Sequence, residues 1–197
     1  MKKYGNMKSP IFICKTRKGQ VFTWDLAISV SIFLIVLAML FYMWDSTTSK
    51  ATETKEIYEI ESIATDVTEQ LIRTSGVPHD WENSSKYNVT YINAIGLADI
   101  EPRILNEEKI LKFVNSSYIN YSSARSLLGT QRYDFYFKMT YFNETINETQ
   151  LAINGTPIYA GEQPSHEAFA ITARRTAILN DTIVRVYFTV WTNKTYA

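Results

Sequence analysis

Residues 26–44 read LAISVSIFLIVLAMLFYMW, nineteen consecutive positions without a charge. As an α-helix at about 1.5 Å per residue they extend roughly 28 Å, close to the hydrocarbon thickness of a bilayer. Trp24 stands before the run, and Tyr42 and Trp44 close it, where amphipathic rings favour a membrane interface. No other stretch of the chain is apolar enough to enclose such a helix, so a membrane span is expected. The run exceeds an ordinary signal-peptide core and no small-x-small site follows it, so the helix is expected to stay with the protein.

Charge gives the orientation. Residues 1–19 carry Lys2, Lys3, Lys8, Lys15, Arg17 and Lys18 and no acid. The remainder holds 14 basic against 20 acidic residues, a net charge near −6. The positive-inside rule places the basic tail in the cytoplasm and everything beyond about residue 46 outside. A nucleic-acid footprint would put basic charge on a folded domain, so no nucleic-acid partner is expected. Cys14, the only cysteine, lies in the basic tail. The outer part therefore has neither a disulfide framework nor a cysteine metal site. The polar stretch before Cys14 also lacks the apolar run of a lipoprotein signal.

A second signal also points outside. Asn-x-Ser/Thr acceptors occur at Asn83, Asn88, Asn115, Asn120, Asn143, Asn147, Asn154, Asn180 and Asn193, nine of the twelve asparagines. Chance would give roughly two or three. All nine follow the apolar run, so covalently attached N-glycans on an extracellular domain are expected. Glycans are bulky and solvating, which places these positions on loops or exposed strand edges. Pro157, directly after Thr156, makes Asn154 the weakest acceptor. The alternative is a Thr- and Asn-rich β-domain with accidental acceptors.

Beyond Asp45, the residues Ile57, Ile60, Ile63, Val67 and Leu71 recur at helical spacing with Glu and Lys between them. The helix is thus predicted to continue from about residue 24 to 74, stopping at Ser75-Gly76-Val77-Pro78. Its first half is apolar all round; its second half has one apolar face and needs a domain against it. Asn106-Glu107-Glu108 opens a short helix, and residues 122–128 with Gly129 form another. In YDFYFKMTYF (133–142) the residues Tyr133, Phe135, Phe137, Met139 and Tyr141 share one strand face. Residues 150–153 and 157–160 read as short strands around Asn154-Gly155. Residues 168–179 and 182–192 form a hairpin around Asn180-Asp181, with Val184, Val186, Phe188 and Val190 on its apolar face.

The expected fold class is α+β. A long N-terminal helix, membrane span continuing into an amphipathic stalk, packs against a C-terminal antiparallel β-sheet head. The expected organisation is a basic cytoplasmic leader (1–19), an apolar helix (20–45), its amphipathic continuation (46–76) and an extracellular glycosylated head (77–197).

No enzyme site is legible. His166-Glu167 lacks the second histidine of a zinc-protease helix, and His79 sits in a loop sequence that reads as exposed. Phosphate-binding glycine loops and a nucleophile elbow are absent from the sequence. No catalytic residue, cofactor or metal is expected. Arg174-Arg175 within a strand can pair with an acid or another subunit. Tyr-rich strands can bind glycans or surfaces, although in a sheet facing a helix they more often supply core.

The junction Lys18-Gly19-Gln20 resembles that of archaeal type IV pilin-like proteins with class III signal peptides. Similar pieces follow in Gly96-Leu97-Ala98, the 106–113 helix, Leu127-Leu128-Gly129, Tyr133-Asp134-Phe135-Tyr136-Phe137 and the closing strand ending in Val190-Trp191. The resemblance thus covers most of the chain. It implies that a prepilin peptidase cuts between Gly19 and Gln20, leaving the apolar helix on the mature subunit. It further implies a structural, homo-oligomeric role: helical assembly through that helix into a cell-surface filament, with adhesion as one use. Cleavage would remove the six charges that oppose extraction from the membrane. Helix packing in the filament core, helped by small residues such as Ala27 and Ser31, would then drive assembly. The family commonly places an acid at the fifth mature position. Here that position is Trp24 and the sixth is Asp25, which is either the assembly acid or a helix N-terminal acid favourable to the dipole. The alternative function is a non-polymerising, single-pass surface glycoprotein or a pseudopilin.

Overall fold

A computed structural model describes residues 18–83, 89–142 and 149–194, with only the backbone described for 18–23. The chain forms two compact units, Met1–Ala51 and Thr52–Ala197. Helix α1 runs over Lys18–Arg73. The fold is α+β, a long N-terminal helix followed by antiparallel sheets, with the helix packed against a sheet.

Within the second unit, α1 buries Ile60, Ala64, Val67, Thr68, Leu71 and Ile72, while Ile57 and Ile63 lie half-buried at the margin. The stripe predicted from helical spacing is therefore the face that enters the core. Each fully buried Ile or Leu is worth about 1.5–3 kcal/mol. Thr68 donates its hydroxyl to the Ala64 carbonyl at 2.5 Å, so its buried oxygen has a partner. The helix stops at Arg73, and Gly76 follows with φ +88°.

Gly76–Val77 (β1) pairs antiparallel with Ala94–Ile95 (β2). Between them Trp81 is fully buried and donates its indole N–H to the Gly96 carbonyl at 2.9 Å. Helix α2, Glu107–Val114, starts at Asn106, whose side chain accepts from the backbone N–H groups of Glu108 and Lys109. Helix α3, Tyr121–Leu127, is capped in the same way by Asn120, and Gly129 follows it with φ +73°.

The main sheet has four antiparallel strands in the order β6 (Tyr159–Gly161), β3 (Asp134–Tyr141), β8 (Thr182–Thr192) and β7 (Phe169–Leu179). Ala152–Ile153 (β4) and Thr156–Pro157 (β5) form a separate small hairpin. The β7–β8 turn is Asn180-Asp181, with φ 48° and 60°, the left-handed pair that a two-residue hairpin requires. On the inner face, Tyr133, Phe135, Phe137 and Met139 join Val184, Val186, Phe188 and Val190 in one core with the α1 stripe. Phe113 of α2 meets Phe137 edge-on at 5.2 Å between centroids, and Phe135 stacks between Tyr121 and Phe188.

Tyr141 does lie on the face of Met139, opposite Val184, and is 40% exposed at the end of β3. One sequence expectation needs correction. Residues 157–160 are not one strand. Pro157 lies in the small hairpin, whereas Ile158 turns inward, and the chain joins the main sheet only at Tyr159. Proline has no N–H to donate to a sheet ladder, which confines it to the hairpin edge.

Candidate functional site: the exposed apolar helix

In the first unit one helix is long and apolar enough to cross a membrane, and none of its apolar span is buried. Phe33, Phe41 and Trp44 are 63%, 68% and 76% exposed. No single face accounts for this, because Ile32 to Ile35 are exposed on successive positions around the helix. An apolar surface on all sides is more than one domain packed to one side could cover. Ile35, Ala38, Met39, Tyr42 and Met43 recur at spacings of three, one, three and one, and line a continuous apolar strip. Ser31 turns its hydroxyl back to the Ala27 carbonyl at 2.7 Å. That satisfies the one polar side chain of this pair without a partner from outside, as a helix in an apolar medium requires.

The structure places Gly19 and Gln20 in the first turn of α1, and Asp25 on its exposed surface. Six of the predicted acceptor asparagines, Asn83, Asn115, Asn120, Asn154, Asn180 and Asn193, are exposed, and each lies outside the strands. Asn88, Asn143 and Asn147 lie outside the described residues. Asn120 uses Oδ1 to accept from the Ser123 N–H at 2.7 Å. N-glycosylation takes one amide hydrogen and leaves that oxygen, so the cap and a glycan are compatible. The amides of Asn154 and Asn180 both donate to Glu107, at 3.4 and 2.8 Å. Each would keep one N–H for Glu107 after modification.

Charged groups on the head tie elements together. Arg175 of β7 donates through Nε to Glu69 of α1 at 2.6 Å. The Arg175 hydrogen bond holds the Glu69 carboxyl below its usual range. Arg132 reaches Glu59 and Lys194 reaches Glu56, at 2.8 and 2.9 Å. The pairing expected for Arg174-Arg175 thus falls to Arg175. The two histidines, His79 and His166, are exposed. Among the described residues no group of three His, Cys, Asp or Glu side chains could hold a metal ion.

Sequence reasoning missed Lys109, which has no solvent exposure. Its ammonium donates to the carbonyls of Ser75 and Ala98 at 3.0 and 3.1 Å. Burial lowers its pKa, partly offset by Glu82, Asp99 and Asp80. The available signal was its position four residues before Phe113, on the buried face of α2. Also missed was the outward face of the sheet, where Tyr136, Lys138, Arg185 and Tyr187 alternate with core residues along β3 and β8.

No family model, curated protein or solved structure matches the chain.

Proposed function

We propose that this chain is a pilin-like structural subunit, held in the membrane as a precursor and assembled after removal of its basic leader into a cell-surface filament. The observation that carries the proposal is the wholly exposed apolar segment of α1, continuous in one helix with a segment that is built into the head. Such a helix has two stable surroundings, a bilayer or a bundle of its own kind.

In this reading, residues 1–19 keep the N-terminus cytoplasmic, because moving six positive charges through hydrocarbon is prohibitive. A prepilin peptidase cuts between Gly19 and Gln20 and removes that barrier. The helices then exchange lipid contacts for contacts with one another, driven by van der Waals packing since lipid and leucine are equally apolar. Asp25 supplies the carboxylate near the new terminus, available to pair with a neighbour's free amine. The head stays outside and carries N-glycans at the exposed acceptors. A chain that assembles in this way needs no catalytic group of its own.

The second reading, a non-polymerising membrane-anchored surface glycoprotein or pseudopilin, is favoured by one observation. Asp25 stands one residue beyond the expected assembly position.

The test is electron microscopy of cells producing the wild-type chain and Gly19→Leu. Wild-type cells are expected to bear filaments containing the protein, and the variant to retain its leader and bear none. Filaments of equal number from Gly19→Leu would rule the proposal out. Processed protein without filaments would select the second reading.

A further inference from the structure

Two hairpin turns and the start of a helix meet on one carboxylate. Asn154, in the β4–β5 turn, and Asn180, in the β7–β8 turn, have φ of 50° and 48°. Asparagine tolerates this left-handed conformation, which tight turns require. The two amides donate to different oxygens of Glu107, at 3.4 and 2.8 Å. Glu107 opens α2 and is half-buried. Three segments far apart in sequence are thereby fixed around a cleft of about 250 Å³.

The cleft joins an apolar floor to a polar rim. Leu151, Ile153, Leu179 and Val184 line it, and none is more than 7% exposed, so the floor is the margin of the core. Glu107 and the two asparagines line it as well, with Tyr141, 40% exposed at the end of β3, beside them. An amide has two N–H donors and a carbonyl acceptor, and a carboxylate about four lone pairs. The bonds to Glu107 therefore use only part of the rim's capacity, and the rim both donates and accepts. A sugar hydroxyl does the same, giving its proton to a carboxylate while its oxygen takes an amide N–H. The tyrosine ring suits the apolar face of a pyranose. The volume lies below the roughly 300–1,000 Å³ of sites for drug-sized ligands, which is the scale of a single sugar ring.

Charge narrows the class. No lysine or arginine is among the described residues lining the cleft, so nothing there offsets Glu107 against a phosphate, sulfate or uronate. Glu107 is also the one carboxylate among them, whereas calcium sites gather several charged oxygens. We infer that this cleft binds a neutral saccharide through one pyranose, with Glu107, Asn154 and Asn180 holding hydroxyls and Tyr141 flanking the ring. Such a sugar has two sources, a saccharide from outside or the first residue of an N-glycan on Asn154 or Asn180. The cleft does not depend on filament assembly.

The experiment uses the full chain in dodecylphosphocholine, a detergent without a sugar headgroup. The chain is made once in cells that attach no N-glycans and once in its native cells. Calorimetry measures methyl α-mannoside, methyl β-glucoside and N-acetylglucosamine, with glucuronate as the acidic comparison. The bare chain is expected to bind at least one neutral sugar, and glucuronate about tenfold or more weakly. Glu107→Gln, nearly the same shape, is expected to weaken the neutral sugar about tenfold by removing charge-assisted hydrogen bonds. Asn154→Gly and Asn180→Gly keep the φ of each turn without strain and are each expected to weaken it about threefold. Tyr58→Ala, an exposed position outside the cleft, is expected to change it by less than about twofold. Circular dichroism checks folding, and the glycine variants serve if Glu107→Gln misfolds. Equal binding by bare and native chains assigns an external saccharide. Binding by the bare chain alone, with sugar on Asn154 or Asn180 of the native chain, assigns the attached glycan. The proposal is overturned if the bare chain binds none of the three neutral sugars, if glucuronate binds as tightly, or if the cleft variants bind as wild type does.

Discussion

The Lys109 ammonium lies 3.0 Å from the carbonyl oxygen of Ser75, so a lysine with no solvent exposure ties α2 to the segment that follows α1. Its second bond, to Ala98, brings a third segment to the same point. Lys109→Met keeps the length and apolar stem but leaves both carbonyls without this donor. The expected cost is about 2 kcal/mol, since an unpaired buried acceptor forfeits more than the net value of its hydrogen bond. Urea unfolding of the detergent-solubilised chain measures it. A midpoint equal to wild type would show that Lys109 is not a structural tie.

Arg175 and Glu69 join β7 to α1 from opposite sides of the core boundary, with both side chains about a third exposed. Partial exposure keeps the pair modest, and Glu69→Gln is expected to cost roughly 0.5–1 kcal/mol at neutral pH. The hydrogen bond from Arg175 lowers the Glu69 pKa from 4.5. A lowered carboxyl pKa contributes stability that is complete above the unfolded value and is lost as pH falls through the folded one. The stability difference between wild type and variant should therefore hold at pH 7 and shrink below pH 4.5. A difference that grew on acidification would contradict this assignment.

At the alkaline end Tyr121 is one of the tyrosines whose burial matters. Burial is the main cause that pushes its phenol up to about 12, and its hydrogen bond to Asp134 acts in the same direction. A raised phenol pKa contributes stability that is complete below the unfolded value of 10.0 and is lost as pH rises towards 12. Wild type should lose stability across that window, and Tyr121→Phe should lose less. At pH 7 the same substitution should cost about 1–2 kcal/mol for the two lost hydrogen bonds, to Asp134 and from the Phe135 N–H. Thermal melts at neutral and alkaline pH provide both comparisons.

Gly76 has little room to change. Its φ is +88°, and a Cβ there would stand 2.5 Å from Trp81 Cδ1 and 2.9 Å from the Ala94 carbonyl oxygen. Trp81 is fully buried and held by its bond to Gly96, so it cannot swing aside. Gly76→Ala should destabilise the head by about 2–3 kcal/mol and weaken the near-ultraviolet signal of the buried indole. An unchanged tryptophan signal with wild-type stability would contradict the packing described.

Much of this architecture is legible in the sequence because it is set by short-range pattern. The α1 stripe follows from helical spacing, the start of α2 from Asn106 as its cap, and the end of α3 from Gly129. The β7–β8 turn follows from two residues that tolerate positive φ. What escaped depends on contacts distant in sequence. Lys109 reaches Ser75, 34 residues away, and its spacing from Phe113 marks the buried face of α2 without revealing that distant partner. The division of residues 157–160 between two sheets depends on Ile158, which donates to the Leu151 carbonyl and accepts from the Met139 N–H. For the functional surface, the exposed apolar helix is written in composition. The cleft at Glu107 emerges only once two turns distant in sequence bring Asn154 and Asn180 to the same carboxylate.

The central claim is that α1 is a provisional anchor, held in the bilayer by a removable leader and destined for a filament core. Intact-mass and N-terminal analysis of the protein purified from its native cells tests it most directly. The account predicts a chain beginning at Gln20, shortened by residues 1–19 and heavier than its sequence by attached glycans. A mature, surface-located protein that still begins at Met1 would contradict it.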